Sequence, residues 1–327
     1  MRQRILFSFT IFASTLLLTS CKPGATDSLS EQRDEHLPQT AATPSPSPPH
    51  REKIWTEFDG NQALTEAKAI TDFRPRPAGA NANAKARQYL INQLTQLGWQ
   101  TTQQRFTGYS PDSKRIEFCN LITRFSHSFA SVKRFVIGSH FDTVTSQSYP
   151  ATGASDGAAG SAILLELARV LALDPQLASR VELLFLDGNA PFHQLNPNDG
   201  LFGSRFYIQM LQLSQRLTDI RGAVILENVG SSPFQLSFPP NSDQKLADEM
   251  KIAAQILGFK IEVANRPLLT DHVPFEEAGI PTVALLEADA PQVHTADDTP
   301  ERLGADSLAR TGRLVLYFLT KQELSPP

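Results

Sequence analysis

A chain of 327 residues with 34 acidic and 30 basic side chains has a formal charge of −4 at pH 7, so it offers no basic field for a nucleic-acid backbone. Its two cysteines, Cys21 and Cys119, cannot build a disulfide framework, and stability has to come from a core. From residue 51 onward there is length for one large α/β domain, near the upper end of what a single core supports.

Arg2 and Arg4 precede an uncharged apolar stretch, 5–18, and then Leu18-Thr19-Ser20-Cys21. A charged start, a short apolar core and small residues before a cut read as a secretory signal over residues 1–20. The stretch is shorter than the about 20 apolar residues that cross a membrane. Cysteine directly after Leu-Thr-Ser resembles a bacterial lipobox. That implies cleavage before Cys21, a lipid on its thiol, and an exported protein anchored in the bacterial cell envelope. Residues 21–50, rich in Pro, Ser and Thr and without apolar periodicity, read as a disordered tether, leaving 51–327 as the folded domain.

The domain opens with a predicted helix over 62–69. A second helix follows, with Leu90, Leu94 and Leu97 on one stripe and Gly98 as its stop. Segments 100–106 and 116–122 read as strands paired near one edge of a sheet, and Cys119 in the second is a buried structural thiol. Phe135, Val136 and Ile137 form an apolar run ending at Gly138, which puts His140 and Asp142 at a strand's carboxyl edge, where open α/β sheets keep their sites. A small-residue loop delivers Asp156 to the start of a helix with Ile163, Leu164, Leu167 and Leu171 on its apolar face. The strand 181–186 stops at Asp187-Gly188. A histidine among carboxylates at converging strand ends suits a divalent cation such as zinc. Asp142 and Asp187 read as residues that orient loops or a ligand histidine. Beyond them come a helix over 201–213, a strand 223–227 ending at Glu227, a helix over 244–257, a strand 281–286 and a closing helix over 307–319. Strands alternating with helices predict a single three-layer α/β domain, its central sheet mostly parallel and covered by helices on both faces.

Six motifs in order, GSHFDT, SDGAAGSAILLELAR, FLDG, GLFGSR, TDHVPFEEAGIP and VHTADDTPERL, resemble the zinc-dependent M28 peptidase family through most of residues 75–320, a zinc aminopeptidase-like fold. The segment PFHQLNPND and the late Val-His-Thr-Ala-Asp-Asp run are most similar to the glutaminyl-peptide cyclotransferase branch, which turns N-terminal glutamine into pyroglutamate. The resemblance implies one zinc ion. It places Asp156 as the bridging aspartate, His294 as the late histidine ligand, and His140 and Glu227 at a second zinc position. It also implies peptide or protein N-termini as partners.

Three departures from the pattern bear on the chemistry. Asn189-Ala190 stands where the family has an acid/base glutamate and a zinc-ligating glutamate. Thr270 precedes Asp271 where cyclases carry a second aspartate, and Leu195 replaces a pocket tryptophan. An amide does not shuttle protons at neutral pH, which leaves Glu227, Asp187 and Asp271, each on a different strand end or loop from the missing glutamate, as the available carboxylates. His193 reads as a surface-loop histidine and His272 as a structural one. Three readings follow: a cyclotransferase-like protein with altered catalysis, an M28 zinc aminopeptidase, or a non-catalytic envelope lipoprotein that binds peptide N-termini.

Overall fold

The structure, a computed structural model, describes residues 53–125, 133–146, 148–196 and 198–324. The signal and tether expected over 1–50 lie outside these residues. The chain divides into two units, 1–46 and 47–327, and everything described belongs to the second.

The first half of that unit contains helices α1 (Gly60–Thr71) and α2 (Asn81–Gln96), the hairpin β1 (Gln100–Tyr109) and β2 (Arg115–Arg124), then β3 (Arg134–His140), α3 (Ala159–Leu171), α4 (Pro175–Ala178) and β4 (Val181–Leu186). The second half contains α5 (Phe202–Leu213), β5 (Ile220–Glu227), β6 (Ser237–Phe238), α6 (Gln244–Ile256), β7 (Glu262–Val263), α7 (Val273–Glu277), β8 (Thr282–Leu286) and α8 (Ala305–Leu324).

Among the described residues eight strands form one sheet in the order β1-β2-β4-β3-β5-β8-β6-β7. The four central strands β4, β3, β5 and β8 run parallel, while β2 joins β4 antiparallel and β1 closes the edge. Alternation along each central strand sends its apolar residues to both faces of the sheet. Phe135, Ile137, Leu183, Phe185, Val224 and Leu226 face one core, and Val136, Leu184, Leu186, Ala223 and Ile225 face the other. The first core is completed by α1, α2, α3, α6 and α8, the second by α5 and α7.

The helix expected to begin at Asp156 begins later. Residues Ala154–Ala158 make an irregular turn in which Gly157 has φ 99°, and regular helix starts at Ala159. A Cβ on Gly157 would stand 2.7 Å from the Asp142 carbonyl oxygen, so only glycine lets this turn close on the β3 end. The single apolar stripe expected of α3 also proves too narrow: every residue but Arg169 is buried, because α1 and α8 pack over its outer side. From β3 the chain passes to β4 on one side and later returns to β5 on the other. This reversal opens a crevice between the carboxyl ends of β3 and β5, the location at which open parallel sheets bind ligands.

Candidate active site and its metal-ligating residues

His140 ends β3 and Glu227 ends β5, so the two flank the crevice. Asp156 enters from the turn ahead of α3. His140, Asp156 and Glu227 are all buried. His140 Nδ1 lies 3.2 Å from the Asp142 carbonyl oxygen and 3.4 Å from Asp142 Oδ1, which makes it the proton-bearing nitrogen and turns Nε2 inward. Nε2 stands 3.3 Å from Asp156 Oδ1 and 3.7 Å from Glu227 Oε2 and forms no hydrogen bond. The other oxygen of Asp156 lies 3.1 Å from Nε2 of His294, a half-exposed residue held at φ 59° with its carbonyl accepting from the Tyr149 hydroxyl.

Charge in this cluster is unevenly held. Burial opposes charge on His140, but Asp142, Asp156 and Glu227 together raise its imidazole well above the ordinary value. Burial likewise opposes charge on Asp156, yet His140 and His294 hold its carboxyl well below the usual carboxylate range. Glu227 is pushed up to about 8 by burial and then by the charge of Asp271. Asp271 is itself raised by burial.

The loop after β4 supplies the departures seen in the sequence. Asp142 accepts the backbone N–H groups of Asn189 and Ala190, both at 3.1 Å, and so fixes the loop. The Asn189 amide donates to Asp271 Oδ2 at 2.9 Å and stands 3.4 Å from both oxygens of Glu227. Glu227 Oε1 also accepts from the Asp271 backbone N–H at 3.0 Å, and Asp271 Oδ1 accepts from the Ser204 hydroxyl. Ala190 has no donor atom to give.

Asp187, buried beneath this layer, accepts from Asn83 Nδ2 at 2.9 Å and from Cys119 N–H at 2.8 Å, and burial pushes its carboxyl up to about 7. It ties α2 and β2 to the end of β4. His193 pairs with Asp112 at 3.1 Å on the surface, away from the cluster. His272 lies in the core between Thr270 Oγ1 at 2.7 Å and Asn241 Nδ2 at 2.9 Å.

Three supporting residues escaped the sequence reading. Arg76, fully buried, donates to the carbonyls of Phe141, Thr152 and Gly153 at 2.7–2.8 Å and clamps the loop after β3 to the turn that carries Asp156. Burial lowers its guanidinium to about 10, and the charges of Asp156, Asp142 and Asp298 act to keep it protonated. Asp298 accepts from the N–H groups of Ser155 and Asp156 and from the Ser155 hydroxyl. Ser204 anchors Asp271. Asp298 and Ser204 were inside recognised motifs, but Arg76, between two prolines, carries no periodic signal.

Whether a cation fits can be judged from the donors. Among the described residues no group of three or more His, Cys, Asp or Glu side chains is spaced as a ready cage; the donors lean on one another as ion pairs. Yet the buried, unpartnered Nε2 of His140 faces two carboxylates, and its Nδ1 is held by Asp142, the support a metal-ligating histidine has. One positive charge belongs between Asp156 and Glu227. The imidazole proton can supply it, or a metal ion that displaces this proton.

A mostly parallel sheet with such a cluster at its crevice defines an α/β protein of the zinc-exopeptidase type. A Zn-dependent exopeptidase from Parabacteroides distasonis superposes with a TM-score of 0.72 over 80% of this chain and 98% of that chain, at 21% identity. The family model of peptidase family M28 matches residues 120–319, and the chain belongs to that family. Within it the similarity is to glutaminyl cyclases. The Bos taurus glutaminyl-peptide cyclotransferase-like protein is 27% identical over 279 residues, 75% of this chain and 72% of the relative. The glutaminyl cyclase of an Acidobacteriales bacterium superposes with a TM-score of 0.73 at 25% identity, over 86% of this chain and 98% of that chain. Membership implies zinc.

Proposed function

We propose that this chain is a lipid-anchored envelope protein of the glutaminyl-cyclase-like branch. It receives peptide N-termini in the cleft beside Glu227 and cyclises N-terminal glutamine far more slowly than a relative with both glutamates would. The observation that carries the reading is the Asn189 amide, bonded to Asp271 and close to Glu227 where a proton-carrying carboxylate is needed. A cleft of about 670 Å³ lined by Glu227, Leu195, Leu268, Leu286 and Val293 remains open for a ligand.

Zinc, when bound, supplies a Lewis acid for a substrate carbonyl. His140, Asp156 and Glu227 are the side chains that would hold it, with His294 on the outer oxygen of Asp156. Ala190 removes the ligand that the resemblance assigns to the more exposed position. Cyclisation also needs a group that takes a proton from the attacking α-amine and returns it to the leaving ammonia. Asn189 cannot do this. Burial raises the Glu227 carboxyl to about 8, but its oxygens already face His140, the Asp271 N–H and Asn189. Loss of a general acid/base lowers turnover by about 10²- to 10⁴-fold. An aminopeptidase meets the same gap, because activation of water uses a carboxylate at the same place.

The lipobox-like Cys21 supports anchoring. Calorimetric titration of the purified full chain with a glutaminyl peptide tests the reading. Saturable binding, weakened when Leu195→Arg fills the cleft, is expected; absence of saturable binding contradicts it.

A further inference from the structure

His140, Asp156 and Glu227 are buried, whereas His294 is half exposed, stands on a loop and has φ 59°. A histidine in the left-handed region persists only where its surroundings hold it there. Two ties do so. Asp298, four residues further on, accepts the N–H groups of Ser155 and Asp156 and binds the loop to the turn below. The second tie is on His294 itself, where the Tyr149 hydroxyl donates to its carbonyl. Tyr149 belongs to the loop after β3. Its own N–H lies 3.3 Å from Ser146 Oγ, and further along the same loop the Thr152 and Gly153 carbonyls are gripped by buried Arg76. Tyr149, Gly153, Asp156 and His294 surround one narrow gap. The hydroxyl therefore joins the His294 peptide to the frame that carries Asp156, whose Oδ2 lies 3.1 Å from His294 Nε2.

We infer that Tyr149 is a positioning residue for the cation site: its hydroxyl fixes the His294 peptide, and through it the imidazole, at the outer oxygen of Asp156. The inference rests on the zinc-binding reading above. A bond to the backbone carbonyl leaves both ring nitrogens untouched, so Tyr149 governs where the ring stands and not how basic it is. Without the hydroxyl the left-handed peptide is free to relax and the ring to leave Asp156.

The test is a double-mutant cycle on the full chain, with zinc affinity measured by competition against a chelating dye for the natural protein, Tyr149→Phe, His294→Ala and the pair. Tyr149→Phe removes one oxygen and keeps the ring, and an unchanged melting midpoint of the zinc-free protein verifies the fold. The single replacement is expected to weaken zinc by about tenfold, the size of effect that partners of metal ligands have. In the His294→Ala background the same replacement is expected to change affinity by less than about twofold, because its only route to the ion is gone. The visible absorption of bound cobalt(II), which reports ligand geometry, should shift on Tyr149→Phe only while His294 is present. Affinity or cobalt absorption unmoved by Tyr149→Phe, or a loss that persists in His294→Ala, overturns the inference and leaves zinc binding in place. Absence of zinc binding by the natural chain overturns both.

Discussion

The amide nitrogen of Asn189 lies 2.9 Å from Oδ2 of Asp271, so two residues from different loops are joined where the family's chemistry needs a free carboxylate. The bond is possible because Asp142 holds the Asn189 backbone from one side and Ser204 holds Asp271 from the other. Asn189 has no ionisable group with which to carry a proton, and the Asp271 carboxylate is held by two donors, the Asn189 amide and the Ser204 hydroxyl.

A cation between Asp156 and Glu227 depends on His140 more than on His294, since the former is buried with an inward-facing, unpartnered Nε2 and the latter is half exposed. His140→Ala is expected to abolish stoichiometric zinc in the purified protein, measured by elemental analysis, and His294→Ala to lower affinity only. Zinc content indifferent to His140→Ala and abolished by His294→Ala would place the ion in the outer position instead.

Arg76 holds three backbone carbonyls at once, those of Phe141, Thr152 and Gly153. Arg76→Met removes those bonds, leaves buried acceptors unpaired and strips a positive charge from beside Asp156. Denaturant unfolding is expected to show a loss of about 3–5 kcal/mol. A loss below about 1 kcal/mol would mean that the loops hold themselves.

His272 titrates in the acid range because burial lowers its pKa to about 4. With an unfolded value near 6.5, the unfolded state binds the extra proton between these limits. The stability contributed by neutral His272 is therefore complete above about pH 6.5 and falls as pH drops toward 4, by about 3 kcal/mol. Asp187 and Glu227, raised by burial to about 7 and about 8, act in the opposite sense: their contribution falls as pH rises. The readout is accordingly the difference between the natural chain and His272→Phe, in which the unpaired Thr270 and Asn241 add a constant penalty. That difference should shrink by about 3 kcal/mol from pH 7 to pH 4; a constant difference would show that His272 is not the titrating group.

If Cys21 carries the lipid, Cys21→Ala moves the protein out of the membrane fraction. Among the described residues no helix is long and apolar enough to cross a membrane. An unchanged membrane fraction would contradict lipid anchoring through that thiol.

The central strands were legible in the sequence because burial on both faces makes parallel strands rich in unbroken apolar runs, as residues 183–186 and 223–226 show. His140 and Glu227 then follow from where those runs end. The hairpin was harder to bound: β1 alternates half-buried with exposed residues at an edge and continues to Tyr109, beyond its predicted end at 106. The contacts of Asn189 could not be read, since they join residues separated by 38 and 82 positions. Nor could the clamp of Arg76, because a buried arginine satisfied by backbone carbonyls leaves no pattern in the side chains around it.

Turnover of a glutaminyl peptide by the natural full chain and by the double replacement Asn189→Glu, Ala190→Glu, each with and without a chelator, tests the central claim most directly. The replacement restores a proton-carrying carboxylate and a ligand oxygen on a loop whose backbone Asp142 already fixes. The natural chain is predicted to turn over at or near background, and the double replacement to gain at least about tenfold in kcat/KM, a gain lost on chelation. Robust, chelator-sensitive cyclisation by the natural chain would show that another residue carries the proton and would contradict the account.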